Sequence, residues 1–378
     1  MTGSLLHQRF PELTQTLPFL RLGEAPTPVR EVDLNTQVRV WCKDESRYGS
    51  GGWGGNKIRK LEWLLPDARL RGARTILTVG GTGTNWGLAA ALYGRDYGID
   101  IALALVDQPE DDHVREQLQR LKDSGATLHF THTKRRTILS APWLILRHTH
   151  GRSLPYLLPA GGSSPIGALG YVECALEIAE QVTAGALPEP THLVTAVGSG
   201  GTAAGLVLGL RLAGLRTRVL GVVVNDTLPL DAEHIIGLAI RAEGILRSRG
   251  ARYAPVGLHS DDVTIVRDWI GPGYGHETAA AVVAKKLGAA AGMELETVYT
   301  AKALAALTDL DARGELGEGP VVFLNTYGPR RPSDIGGRAV ASLSAVPDPD
   351  QGRPPAPHAA DRHRPEYPSP HPDTETPR

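Results

Sequence analysis

The chain has 378 residues, of which 40 are Lys or Arg and 41 are Asp or Glu. This balance leaves no net field that would attract nucleic acid or an anionic membrane, so a small-molecule partner is expected. Because no basic stretch followed by an apolar run opens the sequence and no later run is long and apolar enough for a membrane span, we expect the protein to be neither exported nor embedded in a membrane. Its two cysteines predict neither a disulfide framework nor a catalytic metal site, and they favour a cytoplasmic location.

Apolar runs rich in Val, Ile and Leu alternate along the chain with Ala- and Leu-rich segments of helical spacing. This alternation predicts an α/β fold with buried parallel strands and crossover helices. The predicted strands cover residues 75–79, 101–106, 193–197, 219–224 and 321–325, and the predicted helices cover 88–97, 113–124, 169–182, 203–213 and 278–288. A further helix is expected within 131–152, and the Pro-rich tail 346–378 is expected to be disordered.

A glycine-rich run at residues 51–55 leads into Asn56 and Lys57 at the predicted start of a helix. A lysine amine can condense with an aldehyde cofactor once desolvation or nearby positive charge lowers its pKa. The neighbouring Arg59 and Lys60 are expected to supply that charge. The alternative interpretation is a surface turn followed by a solvated, basic helix face.

A second segment, residues 195–205, runs from an apolar strand through a Gly/Ser/Thr turn into a helix of small residues. Free backbone amides at such a helix start favour a phosphate. However, Gly198, Gly200 and Ala203 also match the dinucleotide pattern G-x-G-x-x-A, and Asp226 follows the next strand. This turn alone therefore leaves open a nicotinamide-dependent oxidoreductase, NAD(P) being its cofactor.

A third strand-to-helix turn, at residues 79–87, offers backbone amides, the Thr84 hydroxyl and the Asn85 amide. Together these groups could bind a carboxylate. The alternative is a glycine-rich turn in which Thr84 or Asn85 simply caps the following helix.

Taken in chain order, these segments resemble the D-cysteine desulfhydrase and 1-aminocyclopropane-1-carboxylate (ACC) deaminase family, within the tryptophan-synthase-β-like, fold type II enzymes that use pyridoxal 5'-phosphate. The resemblance covers about residues 17–338. The segments that carry it are Lys43-Asp44-Glu45, Gly54-Gly55-Asn56-Lys57, Arg59-Lys60-Leu61-Glu62, Gly161-Gly162-Ser163-Ser164-Pro165, Gly167 to Tyr171, Gly198 to Thr202, Gly271 to Gly275, and Val298-Tyr299-Thr300.

The resemblance implies two open, twisted, mostly parallel sheets flanked by helices. It also implies a large cofactor domain from residues 1–57 and 169–345, a small α/β domain from 58–168, and a homodimer. The implied catalytic residues are Lys57, Tyr299, Tyr274 and Thr84; the implied cofactor-binding residues are Lys57, Lys60, Asn85, Gly198, Ser199, Gly200, Gly201, Thr202 and Thr300; the implied substrate-binding residues are Thr84, Asn85, Trp86, Tyr274, Tyr299 and Tyr327.

By this resemblance Lys57 forms the Schiff base, Lys60 is a second positive group near the phosphate, and Thr300 is the partner of the pyridine nitrogen. The deaminase branch is expected to have a glutamate at that last position. A threonine hydroxyl sustains only a neutral hydrogen bond there, which weakens the electron sink and favours β-elimination over ring opening.

The sequence departs from the family pattern in its substrate half. Gly83 and Trp86 stand where a glutamine and a histidine are usual, and Tyr327 stands where a glycine is usual. The expected function is therefore β-elimination on a small amino acid, giving a 2-oxo acid and ammonia. The alternatives are ACC-type ring opening, β-replacement on a specialised substrate, or a non-catalytic protein that binds pyridoxal phosphate.

Overall fold

The computed structural model describes residues 3–330, which form two β-sheets flanked by helices. The strands are β1 Val29–Val32, β2 Val40–Asp44, β3 Thr75–Gly81, β4 Asp100–Val106, β5 Thr127–His132, β6 Tyr156–Leu158, β7 His192–Val197, β8 Arg218–Val223, β9 Val263–Val266 and β10 Val321–Asn325. The helices are α1 Leu5–Arg9, α2 Asn56–Leu70, α3 Asn85–Asp96, α4 Asp112–Asp123, α5 Lys134–Arg147, α6 Pro165–Thr183, α7 Gly201–Leu212, α8 Ala232–Ser248, α9 Ala279–Ala290 and α10 Thr300–Ala312.

The five strands and five helices expected from apolar periodicity are all present, and α5 lies within the expected 131–152 segment. Four of the strands that periodicity did not predict, β1, β5, β6 and β9, lie at sheet edges. An edge strand is covered less completely than a central one, and β5, for example, has a single fully buried residue. Such strands lack the apolar run by which a buried strand is recognised.

The larger sheet has six strands in the order β1-β2-β10-β7-β8-β9, and the smaller has four in the order β5-β4-β3-β6. Only the β1–β2 pair is antiparallel among the strand pairs of residues 3–330. The larger sheet is built from both ends of this range and the smaller from the segment between them. The predicted domain boundaries near residues 57 and 169 stay a prediction, and the tail 346–378 lies outside the described residues.

Helix α6 packs against α2 and α7 with backbone against backbone. A Cβ at Gly170 would lie 2.2 Å from the backbone oxygen of Arg59, and one at Gly205 would lie 2.1 Å from that of Ala168. Only glycine permits these approaches. They hold the start of α2, which carries Lys57, close to the start of α7.

A buried ionic cluster ties α2 and α6 to the larger sheet. Arg59 pairs with Glu45 and with Glu177, the latter at 3.0 Å, and Lys43 also pairs with Glu177. Burial opposes a charge on Glu177, but Arg59 and Lys43 outweigh that effect and lower its pKa to about 2. Two cations therefore balance two carboxylates inside the protein. Cys42 and Cys174, both buried, are free thiols.

Candidate active site

A cavity of about 300 Å³ lies at the carboxyl ends of strands from both sheets. The residues that follow β3, β4, β7, β8 and β10 line it, together with the first residues of α2, α3, α7 and α10. This edge of a parallel sheet is where α/β proteins bind ligands. Every site residue expected from the sequence lines the cavity except Lys60 and Gly201.

Lys57 enters the cavity from the first turn of α2. Gly55, just before that helix, has φ +83, and a Cβ there would lie 2.5 Å from the backbone oxygen of Thr326. Only glycine therefore fits this loop conformation, which places Lys57 in the cavity wall. Burial lowers the pKa of the Lys57 amine to about 8. At pH 7 about a tenth of such amines are uncharged, against roughly one in 3000 for an ordinary lysine.

The prediction that positive charge on Arg59 and Lys60 lowers the pKa of Lys57 is wrong. The Arg59 guanidinium points into the ionic cluster, where Glu45 and Glu177 neutralise it. Lys60 is itself buried, and burial together with the charge of Lys57 holds the pKa of its amine well below the ordinary value. Desolvation of the amine, and not neighbouring positive charge, activates Lys57. The alternative of a solvated helix face is also wrong, because Arg59 and Lys60 are at most 1 % exposed.

Lys60 lies behind the Gly198–Thr202 turn, outside the cavity wall. Its Nζ donates to the backbone oxygen of Gly161 at 3.0 Å and to Ser163 Oγ at 3.2 Å. Ser163 Oγ in turn accepts the N–H of Gly201 at 3.1 Å and lies 2.8 Å from Ser199 Oγ. Lys60 thus reaches the turn through Ser163, and its role as a second positive group at a phosphate stays a prediction.

The turn from β7 into α7 has the features of an anion site. Gly200, which has no side chain to cap α7, adopts the left-handed conformation immediately before the helix, with φ +84. Ser163 Oγ accepts the N–H of Gly201, and among the described residues no side chain accepts the next two, those of Thr202 and Ala203. Asn56 Nδ2 donates to Thr202 Oγ1 at 3.4 Å, which connects the Lys57 loop to this turn. The remaining free amides and the positive end of the helix dipole favour a phosphate at this position.

The turn from β3 into α3 both caps that helix and lines the cavity. Thr84 Oγ1 accepts the N–H of Gly87 at 3.1 Å, so Thr84 is the N-cap of α3. Asn85 Oδ1 accepts from Gln117 Nε2 at 2.7 Å. Because that oxygen is engaged, the amide nitrogen is the group that Asn85 can offer to a ligand.

Trp86 is mainly a packing residue. It is 2 % exposed, its Nε1 donates to Thr78 Oγ1 at 2.9 Å, and a Cβ at Gly162 would lie 2.5 Å from its ring. Its small exposed part borders the cavity. Tyr327 is half-buried, and its ring meets that of Trp53 edge-on with the centroids 6.5 Å apart. Contacts of either residue with substrate stay predictions.

Two tyrosines form a hydrogen-bonded pair in the cavity wall. The Oη atoms of Tyr274 and Tyr299 are 2.6 Å apart. Burial raises the pKa of both phenols, and that of Tyr299 also rises because of the Tyr274 oxygen beside it. Both are therefore protonated near pH 7 and can donate. The ring of Tyr299 closely approaches Gly198, where a Cβ would lie 2.8 Å away.

Asp226, the residue expected to bind a ribose in the oxidoreductase alternative, has another partner. Its Oδ1 accepts the backbone N–H of Tyr274 at 3.0 Å, and its other oxygen lies close to Gly273. Asp226 is also not among the described residues that line the cavity. This arrangement holds the Tyr274 loop and gives the nicotinamide alternative no support.

Sequence reasoning missed three polar residues of this region: Ser163, Gln117 and Glu296. Glu296 lines the cavity, and its carboxylate accepts from Thr300 Oγ1 at 3.1 Å. Glu296 precedes α10, whereas a capping box has its glutamate three residues after the cap, so no standard capping pattern marks this residue in the sequence. Gln117 and Ser163 meet their partners only through the fold.

Comparisons with known proteins agree on one family. Residues 20–326 match the family model described as "Pyridoxal-phosphate dependent enzyme". A D-cysteine desulfhydrase of Klebsiella pneumoniae is 32% identical over 323 residues, which are 82% of this chain and 94% of that protein.

Solved structures extend this likeness to the fold. A crystal structure described as that of an ACC deaminase homologue has a TM-score of 0.69 and 28% identity, covering 86% of this chain and 95% of that one. Threonine deaminase isoform 2 of Solanum lycopersicum has a TM-score of 0.57 at 14% identity, covering 90% and 91%. The second likeness shows the fold alone, and it confirms the fold class expected from the sequence.

Within residues 3–330, no group of three or more His, Cys, Asp or Glu side chains could hold a metal ion. None of the helices in that range has both the length and the apolar character needed to cross a membrane.

Proposed function

The chain belongs to the family of pyridoxal-phosphate-dependent enzymes, and on that premise we propose that it is a lyase acting by β-elimination on a small amino acid, as a D-cysteine desulfhydrase does. With D-cysteine, the balanced reaction consumes one water molecule and yields pyruvate, ammonia and hydrogen sulfide. The observation that carries the proposal is Lys57, with the pKa of its amine lowered by burial to about 8, in the wall of the same cavity as the glycine turn that begins α7.

The residues present fit pyridoxal phosphate. The turn before α7 would hold the phosphate through its free backbone amides, whereas the N–H of Gly201 already has Ser163 Oγ as its acceptor. Lys57 would bind the aldehyde carbon through its uncharged amine, with loss of water. The Asn85 amide nitrogen would donate to the phenolic oxygen, and Thr300 would lie at the ring nitrogen. When bound, the cofactor would spread the negative charge that develops at the substrate Cα.

The residues of the chain then have distinct tasks. The Gly80–Asn85 turn would bind the substrate carboxylate through its amides and orient the Cα–H bond toward Lys57. Lys57, released from the cofactor by the substrate amine, would remove the Cα proton as a general base. The Tyr274–Tyr299 pair would donate a proton to the departing β-substituent, because both phenols are protonated near neutral pH.

The test compares the wild type, Lys57→Ala and the control Lys286→Ala, which changes an exposed lysine of α9. Each protein is reconstituted with pyridoxal phosphate and its visible absorption recorded. D-cysteine, L-cysteine, β-chloro-D-alanine and ACC are then added while 2-oxo acid is measured. We expect a cofactor band and pyruvate release from D-cysteine in the wild type and in Lys286→Ala, both absent in Lys57→Ala. Absence of a band in the wild type would refute the proposal.

Ring-opening deamination is the second candidate, favoured by the likeness to the ACC deaminase homologue. It would give 2-oxobutanoate and ammonia from ACC without release of sulfide. Turnover of ACC and none of D-cysteine in the same assay would replace elimination by ring opening.

The homodimer and the cytoplasmic location also stay predictions. The homodimer is supported by the family resemblance, and the location by two free, buried thiols in the described chain. A molar mass in light scattering twice the 40.4 kDa of one chain would support the first, and cell fractionation would test the second.

A further inference from the structure

The cavity contains a carboxylate that the mechanism above does not use. Glu296 is half-buried and precedes α10. Its carboxylate accepts the backbone N–H groups of Val298 at 2.8 Å and of Thr300 at 2.7 Å, as well as that of Tyr299 at 3.0 Å. Within residues 3–330, no Lys, Arg or His nitrogen forms an ion pair with it. A negative charge is thus held in place at this end of the cavity.

The hydroxyl of Thr300 is already committed to Glu296. A threonine hydroxyl has one proton to donate and two positions at which to accept. Thr300 Oγ1 donates to Glu296 Oε1 at 3.1 Å and accepts the backbone N–H of Glu296 at 3.1 Å. The weaker alternative acceptor, at 3.4 Å, is the backbone oxygen of the same Glu296. What remains for a ligand is one acceptor position.

The placement of the cofactor follows from the proposed function, on which this step rests. In pyridoxal phosphate the ring nitrogen lies para to the carbon that bears the aldehyde, and the phosphate arm and phenolic oxygen flank that carbon. With the aldehyde at Lys57, the phosphate at the α7 turn and the phenolic oxygen at Asn85, the ring nitrogen points to the opposite wall. Thr300, the first residue of α10, lines the same cavity, next to Tyr299, whose ring closely approaches Gly198 of the α7 turn. The proposed function places Thr300 at that ring nitrogen.

We propose that Glu296, acting through the Thr300 hydroxyl, holds a proton on the ring nitrogen of the bound cofactor. A hydroxyl that can only accept needs a partner that donates, and the ring nitrogen donates only as N–H⁺. The proton comes from solvent when the cofactor binds, and the Glu296 carboxylate stabilises the resulting positive charge. Glu296 is a positioning residue, since it acts through Thr300.

A protonated ring nitrogen changes the role of Thr300 in the reaction. The sequence suggested that a threonine at this position sustains only a neutral hydrogen bond and weakens the electron sink. Because its hydroxyl donates to Glu296, Thr300 accepts a hydrogen bond from a protonated ring nitrogen, and the cofactor ring stays a strong electron sink. Thr300 therefore does not separate elimination from ring opening, and the preference for elimination rests on the relatives. The residues left to set the branch are those of the substrate half, such as Tyr327 and Trp86.

The experiment observes the ring nitrogen directly. The full-length protein is reconstituted with pyridoxal phosphate labelled with ¹⁵N in the ring, and its nitrogen resonance is recorded between pH 6 and 9. Pyridinium and neutral pyridine nitrogens resonate at well-separated frequencies. We expect the pyridinium resonance in the wild type and in the control Thr300→Ser, which keeps the hydroxyl. In Glu296→Gln and in Thr300→Val the resonance is expected to move to the neutral position.

A neutral nitrogen in the wild type, or a pyridinium nitrogen in Glu296→Gln, would overturn the inference. Glu296→Gln keeps an oxygen that can cap α10, and far-ultraviolet circular dichroism checks that helix content is retained. If this variant lost the cofactor, Thr300→Val would decide, because it leaves the carboxylate in place; a pyridinium resonance there overturns the inference. Borohydride reduction and mass analysis show whether the cofactor is attached to Lys57. Absence of that adduct in the wild type refutes the proposed function, whereas an adduct with a neutral ring refutes this inference alone.

Discussion

At Lys57, removal of water from around the amine makes a reactive group available at neutral pH. The lysine gains this property from its place at the start of α2, where the glycine loop brings it into the cavity wall. No permanent cation is needed, since Arg59 is neutralised elsewhere. A reaction that needs the uncharged amine should therefore depend on pH in a way that reports this burial.

The rate at which the apoprotein captures pyridoxal phosphate should rise about tenfold per pH unit below pH 8. It should level off above that value, because the folded pKa of Lys57 is about 8. Stopped-flow absorbance between pH 6 and 10 measures the profile. Nα-acetyl-lysine, run in parallel, should continue to accelerate toward pH 10. A protein profile that followed the free amino acid would contradict the lowered pKa.

At the scale of elements, glycines on α6 decide how closely the functional helices approach one another. A Cβ at Gly170 would collide with the backbone oxygen of Arg59. Because that oxygen belongs to the backbone of α2, only a shift of α2 would relieve the collision. Gly244 on α8 offers a contrast, because a Cβ there has no atom within 4 Å among the described residues. Both glycines lie inside helices, so helix propensity affects the two positions alike.

Gly170→Ala should destabilise the protein by about 1–3 kcal/mol because of overpacking. It should also weaken binding of pyridoxal phosphate, since α2 carries Lys57. Gly244→Ala should instead stabilise the protein by about 0.5–1 kcal/mol, the usual gain for alanine in a helix. Urea unfolding and cofactor titration measure both effects. Equal stabilities of the two variants would show that α2 and α6 tolerate a wider separation.

At the scale of the whole molecule, the buried ionic cluster links β2, α2 and α6. Glu177 makes the stability of this cluster depend on pH, because its pKa is lowered to about 2 from the ordinary 4.5. A carboxylate with a lowered folded pKa contributes stability that is complete above its ordinary pKa and is lost as the pH falls toward the folded value. The cluster should therefore weaken between about pH 4.5 and 2.

Glu177→Gln should lower the free energy of unfolding by about 3–5 kcal/mol at pH 7, because it leaves buried cations without their counter-charge. The difference from the wild type should shrink as the pH falls toward 2. The matched control is Glu31→Gln, which breaks the exposed pair with Arg39 and should cause no measurable change. Urea unfolding from pH 7 to pH 2.5 tests both. A pH-independent difference would contradict the assignment to Glu177 ionisation.

The sequence by itself determined the parts of this protein whose chemistry is local. The strand-turn-helix segments around Lys57, Thr84 and Gly198 could be recognised because glycine freedom, helix capping and apolar runs act between residues close along the chain. For the same reason five of the six interior strands were predicted, all but β2, whereas none of the four edge strands was. The α/β fold followed from the order of these segments.

Only the tertiary structure decided which charges and hydrogen bonds the site contains. Arg59 pairs with Glu177, 118 residues away, Gln117 holds Asn85 from 32 residues away, and Lys60 reaches the α7 turn through Ser163. Even Glu296, close to Thr300 along the chain, matters because the fold places both at the cavity. Burial and distant partners set the pKa of an amine and the direction of a hydroxyl proton, and both come into being only when the chain is folded.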